Sequence, residues 1–196
     1  MIQEFIDFTS EVIPSISPYT KEGIKSALEQ FRTGNKKFHT TMDNNFEILT
    51  QGDILDNIPF YNVNKDTGKL QVYRGRGLIL NNTCDCDRDE NILIAPFIPI
   101  HNLKKDRQSV ISNRAYGYLY LPDNNLDDSV VDFSLANTYK RELIVKSIED
   151  NKVTKFKSLN AYGYYLFICK LTIYLLRPED AEVNARRIGD VDKNSK

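Results

Sequence analysis

Several residue types and features that often indicate a function are scarce in this sequence. Its 196 residues include two histidines, three cysteines and no tryptophan, and the formal net charge is only −1. A protein built mainly around a nucleic-acid backbone usually carries a clear basic excess, so the charge balance argues against that class. Net charge averages over the faces of a molecule, however, and a local basic patch stays compatible with it.

The three cysteines are Cys84, Cys86 and Cys169. Cys84 and Cys86 are one residue apart, too close for an ordinary disulfide, and an odd count suits a reducing compartment. A structural zinc needs four donors, usually with cysteine pairs two to four residues apart, and only His39 and His101 are available to complete such a set. The sequence therefore predicts neither a metal nor another cofactor.

A long apolar run is also missing. The longest, residues 162–176, is interrupted by Gly163, Lys170 and Thr172 and is too short and too polar to span a membrane. The first residues lack the cationic flank and apolar core of a signal peptide. We expect a cytoplasmic protein with no membrane partner.

Short segments of β-type sequence occupy the middle of the chain. Residues 78–82 and 92–97 are apolar runs bounded by Gly, Asn, Asp and Pro, which is typical of buried strands. Residues 64–68 predict a hairpin turn, because they combine Asn, Asp and Gly between two strand-like segments. Further strands are predicted at residues 115–121, 129–133 and 155–159, while residues 137–147 stay ambiguous.

Helices are predicted at the two ends of the chain. Residues 2–13 have apolar residues at roughly helical spacing, and a second helix is predicted from Ser17-Pro18 to Gly34. A carboxy-terminal helix is predicted from Asn160 to Arg177. We therefore expect a mainly β (α+β) fold. Residues 1–45 would form a helical appendage, residues 46–177 a small curved antiparallel barrel closed by the last helix, and residues 178–196 a flexible tail.

Four elements follow one another in a characteristic order: Gly52-Asp53-Ile54, a long loop, a strand that begins at Arg76, and a strand that ends in Ala95-Pro96. This order resembles the MazF/PemK (Kid-type) toxin family over about residues 46–100. The resemblance implies a small curved antiparallel barrel, usually dimeric, that cleaves RNA without a metal. It also implies, more loosely, a role in bacterial toxin–antitoxin or phage-defence systems.

Two positions depart from the pattern of that family. Gly77 follows Arg76 where the family has a proline, and Ile98 stands where its catalytic threonine would fall. Isoleucine has no hydroxyl to stabilise or protonate a phosphate group, so the family's mechanism would lose much of its electrostatic stabilisation. These departures favour a protein that keeps the fold of this family but not its RNA-cleaving mechanism.

Residues 83–90 contain the densest cluster of chemically capable side chains. Asp85 begins a series of alternate aspartates with the spacing of a calcium loop, but the glycine and the bidentate glutamate of that loop are missing. If the strand continues into this segment, Cys84 and Cys86 share one face. Cys84 is a candidate nucleophile with His101 as its base. The alternatives are that the thiols are small buried hydrophobes and that the segment is a solvated polar loop.

A carboxylate-centred nuclease site is a second option. Asp53, Asp85 and Asp132 each lie at or near the end of a predicted strand, and two converging carboxylates would hold a magnesium ion. Asp53 has a simpler interpretation as a turn residue that binds its own backbone. If the protein is an enzyme, the predicted catalytic residues are Arg76 and Asp85.

Tyrosines are the third candidate feature. Tyr116, Tyr118 and Tyr120 lie on one face of a predicted strand, with leucines on the other. Together with nearby basic residues they would suit stacking of single-stranded nucleic acid or a protein interface, in which tyrosine is enriched. The alternative is a partly buried face of the barrel with hydroxyl groups at its rim.

These observations favour a degenerate MazF/PemK-like barrel that binds a protein partner, with RNA as a further ligand, in a bacterial toxin–antitoxin or phage-defence system. A homodimer is compatible with this hypothesis. The candidate binding residues are Asp53, Cys84, Tyr116, Tyr118 and Tyr120. The alternative hypothesis is an active ribonuclease toxin that uses Arg76 and Asp85.

Overall fold

The computed structural model describes residues 18–34, 37–40, 48–176, 180–183 and 185–187. The helix predicted at residues 2–13 and most of the predicted tail lie outside these residues. The helices are α1 (Pro18–Thr33), α2 (Thr83–Arg88), α3 (Arg107–Ile111), α4 (Arg141–Glu149) and α5 (Ala161–Leu176). The strands are β1 (Asp53–Val63), β2 (Leu70–Ile79), β3 (Asn91–Pro99), β4 (Tyr118–Leu119), β5 (Ser129–Asp132), β6 (Asn137–Lys140) and β7 (Thr154–Ser158).

Strands β1 and β2 form the predicted hairpin. The Asn64 side chain accepts hydrogen bonds from the backbone N–H groups of Asp66 and Thr67, both at 2.9 Å, and Gly68 adopts a φ of 66°. Asparagine fixes the turn through its side chain, and glycine accepts the left-handed conformation without steric cost. The turn prediction is confirmed.

The seven strands form one antiparallel sheet in the order β4-β5-β3-β2-β1-β7, and β6 also pairs with β3. This confirms a mixed, mainly antiparallel α+β fold. Among the described strands the predicted barrel closure is not found, because the outermost strands β4 and β7 do not pair with each other. Instead, two side chains of β6 reach β1: Asn137 Oδ1 accepts from Tyr61 N at 2.8 Å, and Tyr139 Oη donates to the carbonyl of Pro59 at 3.0 Å.

Both faces of the central strands are buried, which explains why these strands are continuous apolar runs. Ile54 and Leu78 belong to the core cluster that includes Leu166 and Phe167 of α5. Their sequence neighbours Leu55 and Ile79 belong to a second cluster, which includes Ile144 of α4. Within the described part of the chain, no helix is long and apolar enough to cross a membrane.

Helices α1 and α5 pack in antiparallel directions. Phe31, near the end of α1, contacts Phe38 with ring centroids 5.9 Å apart, and the Phe38 carbonyl accepts from Asn160 N just before α5. Ile24, earlier on α1, packs near Cys169 in the second half of α5. The beginning of α1 therefore lies towards the end of α5.

Three segments differ from the sequence prediction. The strand predicted to begin at Arg76 is the second part of β2, which runs without a break from Leu70 to Ile79. Residues 83–88 form α2 instead of a loop or a strand extension, because the Asn82 side chain caps the helix by accepting from Cys84 N at 3.0 Å. The strand predicted over residues 115–121 is reduced to β4. Tyr120 is held instead by Asn113, which accepts from Tyr120 N at 2.8 Å and donates to the Tyr120 carbonyl at 2.9 Å.

Gly77 provides a test of the packing between β1, β2 and β3. A Cβ atom at Gly77 would lie 2.4 Å from Ile94 Cγ2 and 2.7 Å from Phe60 Cζ, whereas at Gly75 the nearest atom, on Tyr73, is 4.0 Å away. We expect Gly77→Ala to lower the free energy of unfolding by about 1–3 kcal/mol through overpacking. Gly75→Ala is the matched control and should be neutral or slightly stabilising. Urea unfolding measures both, and equal stabilities would contradict the packing described.

Candidate functional site

Strand β7 places charged and aromatic side chains around the beginning of β1. The register between the two strands shifts at Phe156, because Lys157 and Lys155 oppose consecutive residues of β1. Phe156 is thus an extra residue, a β-bulge. In a regular strand the side chains of Lys155 and Ser158 would face opposite sides. The bulge brings both of them to Asp53.

Asp53 is completely buried and has four donors. Its Oδ2 accepts from Thr50 N at 2.7 Å and lies 2.8 Å from Lys155 Nζ. Its Oδ1 accepts from Thr50 Oγ1 at 2.8 Å and from Ser158 Oγ at 2.6 Å. The bonds to Thr50 agree with the turn interpretation of Asp53. With both oxygens satisfied inside the protein, Asp53 has no access to a solvent-borne ligand.

Arg76 projects from β2 into contacts with four residues. Its guanidinium carbon lies 4.3 Å from the centre of the Phe156 ring, a cation–π arrangement. Nε lies 3.7 Å from Asp56 Oδ2, Nη1 lies 3.6 Å from Asp127 Oδ2, and Nη1 also donates to the carbonyl of Asn125. Two carboxylates therefore offset the positive charge of Arg76, and they would repel an approaching phosphate.

A second buried network lies next to Phe156. Lys157 Nζ donates to Asp123 Oδ2 at 2.7 Å, and His39 Nδ1 lies 3.1 Å from the same oxygen, without the alignment of a hydrogen bond. Burial lowers the pKa of His39 to about 4, with Lys157 adding to the effect and Asp123 opposing it. Burial alone would raise the pKa of Asp123, but hydrogen bonds from Lys157 and Asn125 outweigh it and lower that pKa. His39 is therefore neutral at neutral pH.

The other predicted polar candidates are placed apart. Asp85 and Cys84 are exposed on α2, and His101 is exposed beyond the far end of β3. The nine residues of β3 separate Cys84 from His101, a length of roughly 30 Å. Asp132 accepts hydrogen bonds from Ser134 N and Oγ and so caps the turn after β5. Among the described residues, no group of three or more His, Cys, Asp or Glu side chains is arranged to hold a metal ion.

Cys86 differs from Cys84 in being buried. Burial raises the pKa of its thiol to about 11, and the nearby carboxylates, with Asp53 first, add to this shift. A thiol is nucleophilic only as the thiolate, so Cys86 is unreactive at neutral pH. It acts as a small core residue, packed in the cluster of Leu55 and Ile144.

The three candidate tyrosines have different surroundings. Tyr118 and Tyr120 are half-buried against the cluster around Ile100, Val110 and Val130, whereas Tyr116 is 51% exposed. Leu119 and Leu121 are buried in the main core on the other side, as the alternation predicts. The three tyrosines therefore do not form one open stacking surface.

Sequence reasoning missed a more extended exposed feature on the β1–β2 hairpin. Tyr61 opposes Val72, and Val63 opposes Leu70, so these four side chains project from one face of the hairpin. They are between 46% and 65% exposed. We call these four side chains the hairpin face. The signal in the sequence is that apolar or aromatic residues occupy both alternation phases of residues 58–63, although only the phase of Ile58 and Phe60 is buried there. Residues 70–73 are apolar or aromatic at three of four positions and are all exposed.

The edge of β2 on the side away from β1 is open over residues 70–76. Strand β2 pairs with β1 along its length, but with β3 only at Gly77, Leu78 and Ile79. Within the described chain, no strand pairs with the outer edge of residues 70–76. Backbone donors and acceptors on such an edge are available to another strand. The hairpin face and this edge lie on the same ten-residue strand.

Comparison with known proteins does not assign a family. No protein-family model matches the chain, and no curated protein matches it with significant similarity.

The buried imidazole of His39 predicts a pH dependence of stability. Between pH 6.5 and about 4 the unfolded chain binds a proton at His39 and the folded chain does not, so the free energy of unfolding falls as the pH is lowered through this window. At about pH 4.5 the loss should reach about 2–3 kcal/mol relative to neutral pH. Urea unfolding of the wild type and of His39→Asn at both pH values tests this.

The carboxylates titrate in both proteins, so the comparison isolates His39. The second histidine, His101, is exposed. His39→Asn should lose stability less steeply on acidification than the wild type. Identical losses in the two proteins would show that His39 is not buried in its neutral form.

Proposed function

We propose that this protein is a non-catalytic, MazF/PemK-like component of a bacterial toxin–antitoxin or phage-defence system, and that it binds a protein partner through the β1–β2 hairpin. The observation that carries the proposal is the hairpin face with the open edge beside it. Exposed apolar patches rimmed by polar residues are typical of protein interaction sites. The partner that fits is an extended segment with apolar side chains.

The chemistry of recognition follows from the geometry of β2. An extended segment that pairs with residues 70–76 gains main-chain hydrogen bonds along the open edge. Its alternate side chains lie next to Val72 and Leu70, which are each 65% exposed. The main-chain hydrogen bonds supply affinity, and the contacts with apolar side chains supply selectivity. A single extended strand of the partner is therefore sufficient for binding.

The relationship to the MazF/PemK family is supported by the placement of its motifs. Gly52-Asp53-Ile54 leads into β1, Arg76 lies on β2, and Ala95-Pro96 lies on β3. Pro96 directly opposes Gly77 in the pairing of β2 with β3. Motifs that are distant in the sequence are thus neighbours in the sheet, although the sheet is open.

The alternative, a ribonuclease that uses Arg76 and Asp85, has weaker support. Arg76 is held by Asp56, Asp127 and Phe156, while Asp85 is exposed on α2. Stabilising a phosphorane requires donors aimed at the developing negative charge, and Arg76 instead faces two carboxylates. The position expected for a catalytic threonine is Ile98, which pairs with Val130. The same acidic surroundings weaken the case for RNA as a ligand near Arg76.

The double variant Leu70→Lys/Val72→Lys tests the proposal, because both side chains are exposed and the fold should tolerate the change. Leu143→Lys is the matched control: Leu143 is 59% exposed and lies on α4. A tagged wild-type protein should copurify with a stoichiometric protein from its source cells. After purification, that protein should rebind the wild type and the control. Affinity for the double variant should fall at least tenfold, which corresponds to about 1.4 kcal/mol.

Three outcomes would contradict the proposal. The first is equal binding of the partner by all three proteins. The second is concentration-dependent self-association that only the double variant loses, which would make the occupant a second copy of the chain. The third is cleavage of RNA by the purified protein that is lost in Arg76→Ala, which would establish an enzyme.

A further inference from the structure

Gly75 on β2 is a glycine that neither its backbone conformation nor the packing around it requires. Its φ is not positive. A Cβ atom at this position would meet nothing closer than Tyr73 Cε2, at 4.0 Å. Glycine weakens the interior of a strand, and a glycine at such a position often marks a place where a ligand or another backbone approaches closely.

The space above Gly75 is bounded by an aromatic ring. In the pairing with β1, Gly75 opposes Ile58 and Tyr73 opposes Phe60. Ile58 and Phe60 are buried, whereas Tyr73 is 37% exposed. The rings of Tyr73 and Phe60 are stacked, with their centroids 5.7 Å apart. The open edge of β2 therefore has an unfilled space at Gly75 beside the exposed ring of Tyr73, and we call this space the Gly75 notch.

We propose that the Gly75 notch holds an aromatic side chain of the extended partner segment and thereby fixes the register in which that segment pairs with β2. The inference rests on the proposed function, because it needs a partner strand along residues 70–76. A side chain opposite Gly75 has its Cβ about 5 Å away across the edge, and an aromatic ring there reaches the diagonal neighbour Tyr73. Aromatic residues cover glycines at sheet edges in this way. The incoming ring extends the stacked pair of Tyr73 and Phe60.

Arg74 adds a requirement for charge on the other face of β2. It is exposed, and its Nη1 donates to the carbonyl of Asn57 at 2.9 Å. Among the described residues no carboxylate forms an ion pair with Arg74, whereas Arg76 lies close to two. An acidic residue opposite Arg74 therefore completes the charge balance of this edge. On the same face, the partner residues opposite Val72 and Leu70 are apolar.

These contacts define a sequence pattern for the partner. In antiparallel pairing the segment carries an aromatic residue, an acidic residue, any residue, an apolar residue, any residue and an apolar residue, and in parallel pairing the order is reversed. No segment of this 196-residue sequence has the whole pattern in either direction. The segment that begins with Phe46 and Glu47 fails at Gln51, where an apolar residue is required. The pattern therefore fits another protein and not a second copy of this chain.

An exchange of side-chain size across the interface tests the proposal, with the protein that copurifies with the wild type as the purified probe. Gly75→Leu fills the notch and should lower the affinity for this protein at least about tenfold. Asn62→Leu is the matched control: Asn62 is exposed on β1, away from the open edge, and this variant should bind as the wild type does.

The reciprocal change is made in the partner. The aromatic residues of its segment that is protected from hydrogen exchange on binding are replaced by alanine one at a time. One replacement should weaken binding to the wild type but restore binding to Gly75→Leu to within about threefold of the original affinity. Restored binding also shows that Gly75→Leu is folded. The residue next to that aromatic residue in the partner should be acidic.

Three results would overturn the proposal. Loss of binding by Leu70→Lys/Val72→Lys, with unchanged binding by Gly75→Leu, would exclude the Gly75 notch and leave the proposed function intact. A loss of affinity in Gly75→Leu that no alanine replacement in the partner restores would also exclude it. Unchanged binding by both the double variant and Gly75→Leu would overturn the proposed function and this inference together.

Discussion

The buried carboxylate of Asp53 is the interaction on which the arrangement of the sheet depends. A charge without solvent requires compensation, and here Thr50 in the turn before β1 and Ser158 and Lys155 on β7 supply it. Lys155 and Ser158 reach the same carboxylate only because β7 has a bulge. Burial of Asp53 thus determines where β7 lies and how it is twisted. The bulged residue is Phe156, which then contacts the guanidinium of Arg76, and the next residue, Lys157, reaches Asp123.

The charged side chains with the clearest catalytic potential therefore hold β7, β2 and the loop around Asp123 together. Arg76 lies between carboxylates and a ring, and His39 is neutral and enclosed. Such residues stabilise one arrangement of strands through contacts with other groups of the protein. Within the described chain, exposed apolar side chains and unpaired backbone groups lie elsewhere, on the hairpin face and the open edge of β2.

Local signals in the sequence were sufficient for much of the fold. The turn at Asn64, the strands on either side of it and the helix that begins at Pro18 were predicted from residue types alone. Helix α2 was missed because its cap, Asn82, competes with an apolar run that continues the strand pattern. The prediction of barrel closure was wrong, and the partners of Arg76 were missed, because both depend on contacts between residues far apart in the sequence, such as Arg76 and Asp127. Spacing along the chain does not encode such pairings.

The most direct test of this account is a double-mutant cycle on Asp53 and Lys155, measured as the free energy of unfolding in urea. Asp53→Asn leaves the Lys155 ammonium partly buried without its counter-charge and should cost about 3–5 kcal/mol. Lys155→Met should also destabilise the protein, and the double variant should recover part of the loss, with a coupling of about 1 kcal/mol or more. Single variants as stable as the wild type, with additive effects, would contradict the claim that this buried pair organises the sheet.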